Sequence, residues 1–442
     1  MDNTKGYFKL QVRDSISSRS VPFAIDGEEQ ESVLQGVKLY EYLLMFLLLA
    51  LSGNPFFTQK LPIIVTLAAS IPVYYILRNP GKNIAHRTLF IFLFFIGYEL
   101  LHAIMFQLDY TLTIIKLSLV LLLAFSVVNI LKDRFIKVLV ATMFYISIVS
   151  FVFTILCYVP GIGKPLFHFA AGLIPLKQDA NGFVTPTLIM YTFFPDYFNG
   201  LFSYVRNAGI FWEGGAFAVF LNVTLFLYYA SKQIYTLRDM FDKVSIVLIM
   251  AVLTTVSTMG FVALALILTF YSLQLESNIK YVFLLMCCVS FYVAYHSFEF
   301  LGSKIDQQLA KSAQINNRFG SALLDISDIM ERPVFGWSRR LEVLFDSRSM
   351  AKSHRPNGLT NFLRNYGFLY VGVYFYLVFA SFRKIGEYYD KRAVRLAIFG
   401  ILLLCIVSFS ELIFDAALFK SLVFLFFAYY PKEELDGMEE VS

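Results

Sequence analysis

The sequence predicts an all-α, polytopic integral membrane protein, because of its apolar composition, its long hydrophobic segments and the placement of its basic residues. Of the 442 residues, 58% are hydrophobic and only 16% are charged, and the mean hydropathy is +0.64. Soluble domains are about half apolar and about a quarter charged. A soluble chain of this length could not bury so much apolar surface, so lipid is the expected solvent for most of it.

Twelve apolar segments are candidate transmembrane helices, because each approaches the ~20 residues that cross a bilayer. They lie at 36–53, 61–77, 88–107, 111–131, 136–158, 214–231, 243–257, 259–275, 280–297, 366–382, 393–410 and 413–430. No internal repeat and no Gly/Ser-rich linker divides them. We therefore expect one polytopic membrane domain over residues 36–430, preceded by a cytoplasmic segment at 1–35 and followed by a cytoplasmic tail at 431–442.

The Lys and Arg residues of the short loops predict the orientation. They follow the second, fourth, sixth and tenth segments, for example at Arg78, Lys132, Lys232 and Arg383. Short loops rich in Lys and Arg stay on the cytoplasmic side. Both termini are therefore expected in the cytoplasm, and the two long connections, 159–213 and 298–365, are expected on the extracytoplasmic side. No cleavable signal peptide is expected, because the polar N-terminal segment lacks an apolar core.

The remaining composition argues against several other kinds of site. The net charge is +5, but the basic residues are dispersed among short loops, so we expect no nucleic-acid partner. The four cysteines lie in or beside apolar segments without a metal-ligand spacing, which indicates buried thiols. The long loops contain no acidic cluster of the Asp-x-Asp kind. We therefore expect neither a metal ion nor another cofactor.

The first candidate motif precedes the segment 214–231. It reads Arg-Asn-Ala-Gly-Ile-Phe-Trp-Glu-Gly-Gly, from Arg206 to Gly215. If this stretch is helical, Arg206 and Glu213 lie on one face of the helix, and its glycines allow close approach of a ligand or another helix. The alternative interpretation is an Arg–Glu ion pair that caps a membrane span.

Two further motifs lie in the second long loop. Arg318 stands upstream of Pro333-x-x-Gly336, and a later stretch places His354 and Arg355 shortly before Asn357 and the next apolar segment. Histidine can accept a proton near neutral pH, and arginine can hold a phosphate through paired hydrogen bonds. The alternative interpretation is a solvated loop rich in charge.

Together with a Thr/Ser-rich break at 254–260, these motifs resemble the O-antigen polymerase and O-antigen ligase superfamily of bacterial membrane glycosyltransferases. The order and placement of the motifs match that family over roughly residues 200–375, whereas the first five segments match only in being apolar. The resemblance implies a GT-C-like architecture with an active site on the extracytoplasmic side of the bacterial cytoplasmic (inner) membrane.

The resemblance also implies a reaction and its partners. The expected enzyme is a polymerase that joins undecaprenyl-pyrophosphate-linked oligosaccharide repeat units during O-antigen (lipopolysaccharide), capsule or exopolysaccharide synthesis. Its expected partners are that donor, membrane lipid and a chain-length regulator protein. The implied roles are pyrophosphate binding by Arg206, Arg318 and Arg355, catalysis by His354 or Glu213 as the base, and support by Gly209 and Asn357.

Two alternatives remain open at the level of sequence. A ligase would transfer the lipid-linked glycan to lipid A core or another acceptor, although the Phe-Trp-Glu-Gly-Gly form of the first motif favours a polymerase. A lipid-linked glycan flippase is a candidate of another class. Charged and titratable residues appear sparse within the spans, with Glu99, His102 and Lys116 as the main cases, and Glu99 is expected to pair with Lys116.

Overall fold

The computed structural model describes residues 33–59, 61–78, 86–107, 111–173, 185–201, 203–275, 318–339 and 357–429, with 278, 280–282 and 284–285 between them. Within these ranges the regular structure is helical, and the nearest approach to a sheet is a single bridge between Thr187 and Thr192. The predicted all-α class is therefore confirmed for this part of the chain.

We number the helices in chain order. They are α1 (Leu39–Gly53), α2 (Pro55–Gln59), α3 (Leu61–Arg78), α4 (His86–Phe106), α5 (Thr111–Leu131), α6 (Phe135–Tyr158), α7 (Gly163–Leu173), α8 (Pro195–Phe198), α9 (Gly214–Ser231), α10 (Leu237–Met240), α11 (Lys243–Thr254), α12 (Thr258–Ser272), α13 (Arg318–Glu331), α14 (Gly358–Tyr388), α15 (Ala393–Ser408) and α16 (Ala417–Leu422).

Four helical stretches of the described chain are long and apolar enough to cross a membrane. They are Thr88–Phe106, Ile114–Tyr158, Gly214–Ser231 and Gly358–Tyr388. The 45-residue stretch Ile114–Tyr158 contains α5 and α6, which meet at a short 3₁₀ turn over Lys132–Arg134. Four other apolar helices, α1, α11, α12 and α15, are shorter. A membrane protein is thus supported, but the predicted count of twelve spans is not confirmed.

The last predicted span, 413–430, is not one continuous helix. It consists of the six-residue α16, a 3₁₀ turn at Leu425–Phe427 and irregular backbone. Serine side chains of neighbouring helices satisfy the freed backbone groups, because the amide of Leu418 donates to Ser52 Oγ (2.8 Å) and that of Phe426 donates to Ser381 Oγ (3.0 Å). Such irregular backbone is tolerated at membrane depth only where protein surrounds it. Most of the ninth predicted span, 280–297, lies outside the described residues.

The predicted break between the segments 243–257 and 259–275 is confirmed. Helix α11 ends at Thr254 and α12 begins at Thr258, and between them Val256 has a positive φ of 50°. Ser257 caps α12 by accepting a hydrogen bond from the amide of Gly260 at 3.2 Å. The hydroxyl groups near the break therefore replace helical hydrogen bonds that an apolar surrounding could not supply.

Helix α9 occupies the centre of the bundle. Nearly its whole length is buried, and it packs against α6, α11, α12 and α15. Asn222 within it donates to the carbonyl of Gly260 on α12 at 3.1 Å. A helix surrounded in this way is a rigid support for whatever lies at its ends.

The two ends of the bundle differ in character. At the loop end, α4, α6, α11 and α15 terminate and α9, α12 and α14 begin, next to the described parts of the two long connections. At the opposite, basic end, α9 and α14 terminate and α6, α11 and α15 begin. Ion pairs at the basic end include Arg134 with Glu41 (2.9 Å) and Lys232 with Asp242 (3.0 Å).

A loop after α13 docks against an interruption in α14 at the loop end. Gly367 has φ 69° and ψ 175°, which breaks the helix. The amides of Trp337 and Ser338 donate to the carbonyls of Arg364 (2.8 Å) and Asn365 (2.9 Å), and the amide of Phe368 donates back to the carbonyl of Pro333 at 2.7 Å. The loop thus takes up the backbone groups that the break releases.

We expect Gly367→Ala to destabilise the protein strongly. A Cβ at this position would lie 2.7 Å from the amide nitrogen of Gly336 and would contact the carbonyl oxygen of Val334. The positive φ costs a residue with a side chain ~1–3 kcal/mol, and overpacking costs ~1–3 kcal/mol more. Thermal unfolding in detergent should show a large fall in Tm. Gly372→Ala is the matched control, because a Cβ there meets nothing within 4 Å, and an unchanged Tm for both variants would contradict the docking argument.

Candidate functional site

The segment from Arg206 to Glu213 is not helical, so the expectation that these two residues share a helix face is wrong. The chain turns at Gly209, whose φ is +52°. Asn207 fixes the segment to the bundle. Its side-chain amide donates to Ser150 Oγ on α6 (2.8 Å) and to Thr254 Oγ1 on α11 (3.0 Å). The motif is therefore ordered by tertiary hydrogen bonds rather than by helical periodicity.

Arg206 is half-buried at the loop end of the bundle. Its Nε donates to the carbonyl of Thr255 in the break before α12 at 3.3 Å, and its guanidinium lies 5.6 Å from the ring centre of Phe194. Among the residues that the structure describes, no carboxylate forms an ion pair with Arg206. In particular, Glu213 does not pair with it. The alternative of an Arg–Glu pair capping the span is thus not observed. The guanidinium retains donors that could bind an anion.

Two carboxylates meet at the start of α9. A Cβ at Gly215 would contact Glu411 Oε1 and would lie 3.5 Å from Glu213 Oε1. A Cβ at Gly214 would lie 2.7 Å from the carbonyl of Thr255 and 3.5 Å from Cβ of Arg206. The two glycines therefore make room for an arginine and two glutamates around one helix start. Glu411 is almost completely buried and was not predicted as a site residue.

Asn357 also lies beside this group, and its supporting role stays a prediction. It is fully buried and caps α14, with Oδ1 accepting from the amide of Thr360 at 3.1 Å. The next residue, Gly358, packs directly on the backbone carbonyls of Glu411 and Ser408. The Nδ2 of Asn357 has no hydrogen-bond partner within the described part of the chain. A buried, unsatisfied amide of this kind is available to a ligand.

The other predicted site residues stay predictions. Arg318 is the first residue of α13, but the position of its side chain lies outside what the structure describes. His354 and Arg355 lie outside the described residues altogether. Convergence of these three with Arg206 is therefore not tested.

A second group of polar side chains, which we call the charged cluster, lies at the same end. Its members are Glu99 on α4, Arg339 in the loop after α13, Tyr366 on α14, Asp415 before α16, and Lys420 on α16. Tyr366 donates to Glu99 Oε1 (3.1 Å) and accepts from Arg339 Nη1 (3.2 Å). Arg339 Nη1 lies 3.7 Å from Asp415 and 3.8 Å from Glu99, and Lys420 Nζ lies 3.4 Å from Asp415.

The charged cluster is partly open. Glu99 and Lys420 are completely buried, whereas the side chain of Asp415 is 47% exposed and that of Arg339 is 26% exposed. The neighbouring Tyr366 and, second, the carboxylate of Asp415 raise the pKa of Arg339, an arginine that is charged in any case. Lys116 on α5 is close enough to interact electrostatically with Asp415 and Arg339. The expected Glu99–Lys116 pair is thus replaced by a Glu99–Arg339 pair, because the loop after α13 brings an arginine to Glu99.

The same loop is anchored on α4 by aromatic and histidine contacts. His102 Nε2 lies 2.8 Å from the carbonyl oxygen of Phe335, and the Arg332 guanidinium lies 4.2 Å from the ring centre of Trp337 and 5.2 Å from that of Phe106. His102 Nδ1 is buried, and none of the described residues hydrogen-bonds to it. These contacts hold Arg339 near Glu99.

An apolar groove of about 900 Å³ lies between α4 and α14. It is lined by Phe90, Ile91, Phe94, Val373, Tyr376, Leu377, Ala380 and Phe426. Phe94 precedes Glu99 by five residues on the same helix, a rise of about 8 Å. The ring of Phe94 also lies 6.1 Å from that of Tyr370, and the Tyr370 ring stacks on Tyr366 of the charged cluster with 4.3 Å between ring centres. Within the described ranges, no group of three or more His, Cys, Asp or Glu side chains is placed to hold a metal ion.

The two groups of polar residues are connected through the chain after α15. Glu411 lies beside Gly215 and Arg206, and Asp415 follows four residues later, so their Cα atoms are at most about 14 Å apart. A signal for Asp415 and Lys420 was present in the sequence, because both lie within the apolar segment 413–430 and charged residues in such a segment are functional candidates. Arg339 carried no comparable local signal. Comparison of the chain with protein-family models, with curated proteins and with solved structures finds no match.

Proposed function

We propose that this protein is a glycan polymerase that joins lipid-pyrophosphate-linked oligosaccharide repeat units at the extracytoplasmic face of a bacterial cytoplasmic membrane. The observation that carries the proposal is the apolar α4–α14 groove, which is connected to the charged cluster through the rings of Phe94, Tyr370 and Tyr366. A donor with a long isoprenoid tail needs an apolar slot that leads to polar side chains near the reacting head group. The motif resemblance over residues 200–375 adds the reaction class.

In the proposed reaction, an acceptor hydroxyl attacks the anomeric carbon of the donor sugar. The bond between that carbon and the pyrophosphate oxygen breaks, and the lipid pyrophosphate leaves with the electron pair. The hydroxyl proton passes to a base, for which His354 and Glu213 are the candidates. Negative charge grows on the departing pyrophosphate, and arginine forks are suited to stabilise it.

Arg206 is the arginine best supported for this role. Its backbone is held by the hydrogen bonds of Asn207, and its guanidinium has no carboxylate partner among the described residues. By contrast, Arg339 is already shared between two carboxylates and a tyrosine. We therefore assign pyrophosphate binding to Arg206, with Arg318 and Arg355 as the predicted partners. To the charged cluster we assign a structural role, because it holds the loop after α13 against α4 and α14.

A transporter of lipid-linked glycan is the second candidate, favoured by the charged cluster itself. Buried ionisable groups in a membrane bundle often mark a transport pathway. The structure contains more of them than the sequence suggested, because Glu411 and Lys420 join Glu99. A ligase differs from the polymerase only in its acceptor and uses the same donor chemistry.

Deletion of the gene in its native host separates these candidates. We expect surface glycan limited to single repeat units on the acceptor, with long chains absent, as measured by gel electrophoresis and mass spectrometry of the purified glycan. Expression of the wild-type gene from a plasmid should restore the chain-length distribution.

The other outcomes contradict the proposal in distinguishable ways. Long chains that accumulate on the lipid carrier and never reach the acceptor would identify a ligase. Lipid-linked single units that are protected from periodate in intact cells would identify a transporter, because they would remain in the inner leaflet. Unchanged surface glycan would exclude all three functions.

A further inference from the structure

The basic end of the bundle contains a polar pocket that the proposed reaction does not use. It has a volume of about 420 Å³ and lies between the end of α12, the loop after α9 and the start of α15. Four cations and one carboxylate contribute to its lining: Lys280, Lys391, Arg392, Arg395 and Asp390. Its net formal charge is therefore +3 from these five side chains.

The cations of this pocket are weakly compensated. No ion pair with a described carboxylate is found for Lys280, Arg392 or Arg395. Lys391 donates to the side chain of Gln233 at 2.9 Å instead of pairing with an acid. Its burial and the nearby Lys232 ammonium lower its pKa to about 8. An anionic group placed in the pocket would relieve this repulsion.

An apolar groove of about 700 Å³ adjoins the pocket and shares Phe270, Arg392 and Arg395 with it. Its apolar wall is formed by Phe270, Val394, Ile398, Phe399 and Leu402. Val394 and Leu402 are separated by eight residues of α15, or about 12 Å. That length covers most of the ~15 Å of hydrocarbon in one leaflet. Arg395 lies at the junction, with its guanidinium 5.2 Å from the ring centre of Phe270.

We propose that this pocket and groove together bind one anionic phospholipid, with the phosphate headgroup among Arg392, Arg395, Lys280 and Lys391 and an acyl chain along α15. Two features indicate this occupant: the positive pocket is complementary to an anionic headgroup, and the adjoining apolar groove fits an acyl chain. A soluble anion would use the cations but not the groove that continues from them along α15, and a neutral lipid would leave the cations unpaired. Basic pockets between membrane helices recognise anionic headgroups in this way. The inference does not depend on the proposed polymerase activity.

The test uses the full-length protein purified in detergent, with dioleoyl-phosphatidylglycerol and dioleoyl-phosphatidylcholine as probes. Binding is measured by native mass spectrometry and by the rise in Tm. We expect the anionic phosphatidylglycerol to bind more tightly than the zwitterionic phosphatidylcholine. In Arg392→Gln/Arg395→Gln the affinity for the anionic lipid should fall roughly tenfold to thirtyfold, because each basic residue contributes a few-fold to severalfold. Arg238→Gln/Lys243→Gln, with the same charge change at the same end, should bind like wild type.

Several results would overturn the assignment. They are equal binding of the two lipids by wild type, unchanged affinity in the Arg392→Gln/Arg395→Gln variant, and competition by free glycerol 3-phosphate as effective as that by the lipid. Preferential retention of undecaprenyl phosphate would also overturn it, because the occupant would then be the carrier lipid. The comparison of lipids on the wild-type protein decides the question even if the double variant fails to fold.

Discussion

Arg206→Ala is expected to lower glycan elongation a hundred- to thousand-fold while the protein still folds. Removing one preorganised donor to developing negative charge typically costs about 3–4 kcal/mol in the transition state. The structural role of the side chain is small by comparison, because among the described residues it makes one hydrogen bond, to the Thr255 carbonyl, and has one aromatic neighbour, Phe194. A hydrogen bond that involves a charged group contributes about 1.5–3 kcal/mol, and this one is long (3.3 Å) and only partly buried. Glycan length in the complemented deletion strain measures the effect.

Two companion variants sharpen this test. Arg206→Lys keeps the charge but loses the two-pronged donor geometry, so elongation should remain clearly impaired. Arg238→Ala removes an exposed arginine at the opposite end of the bundle and should leave chain length unchanged. Well-expressed Arg206→Ala protein that makes glycan of wild-type length would refute the assignment. A fall in activity that merely follows protein level in all three variants would do the same.

The second large effect concerns stability. Arg364→Ala is expected to destabilise the protein by about 3–5 kcal/mol, the usual cost of breaking a buried ion pair. Arg364 on α14 donates to Asp325 on α13 at 3.1 Å, and both side chains are almost completely buried. Loss of the arginine leaves a buried carboxylate without its cation, although that carboxylate still accepts a hydrogen bond from the Thr360 hydroxyl (2.7 Å). Because the pair joins α13 to α14, the loop that carries Arg339 should loosen as well.

Denaturant or thermal unfolding in detergent measures this loss, and a double-mutant cycle interprets it. Asp325→Asn with Arg364→Gln removes both charges, so the combined loss should be smaller than the sum of the single losses. Arg383→Ala on the same helix is the matched control. Its pair with Glu387 at 2.9 Å is exposed and should contribute well under ~1 kcal/mol. Similar losses for Arg364→Ala and Arg383→Ala would show that burial of the first pair is unimportant.

Much of the helical framework was predictable because the apolar composition of a membrane segment is enough to indicate a helix. Apolar runs must form helices in lipid, since each backbone group needs a partner within the segment. The predicted segments 61–77, 111–131 and 214–231 therefore match the observed helices to within one residue at either end. The prediction of one continuous helix over 413–430 was wrong. Serines from other helices, Ser52 and Ser381, accept hydrogen bonds from backbone amides of this segment, so a continuous helix is not needed.

The candidate site was less predictable, because its contacts join residues that are far apart in sequence. The sequence by itself predicted a helical membrane protein with a break within 254–260, and the described residues agree with both, since both follow from local composition. Only the tertiary structure decided that Arg206 turns towards Thr255 instead of pairing with Glu213, and that Arg339 rather than Lys116 meets Glu99. Electrostatic partners in a folded protein are chosen by distances of a few ångströms. Those distances depend on how whole helices and loops pack.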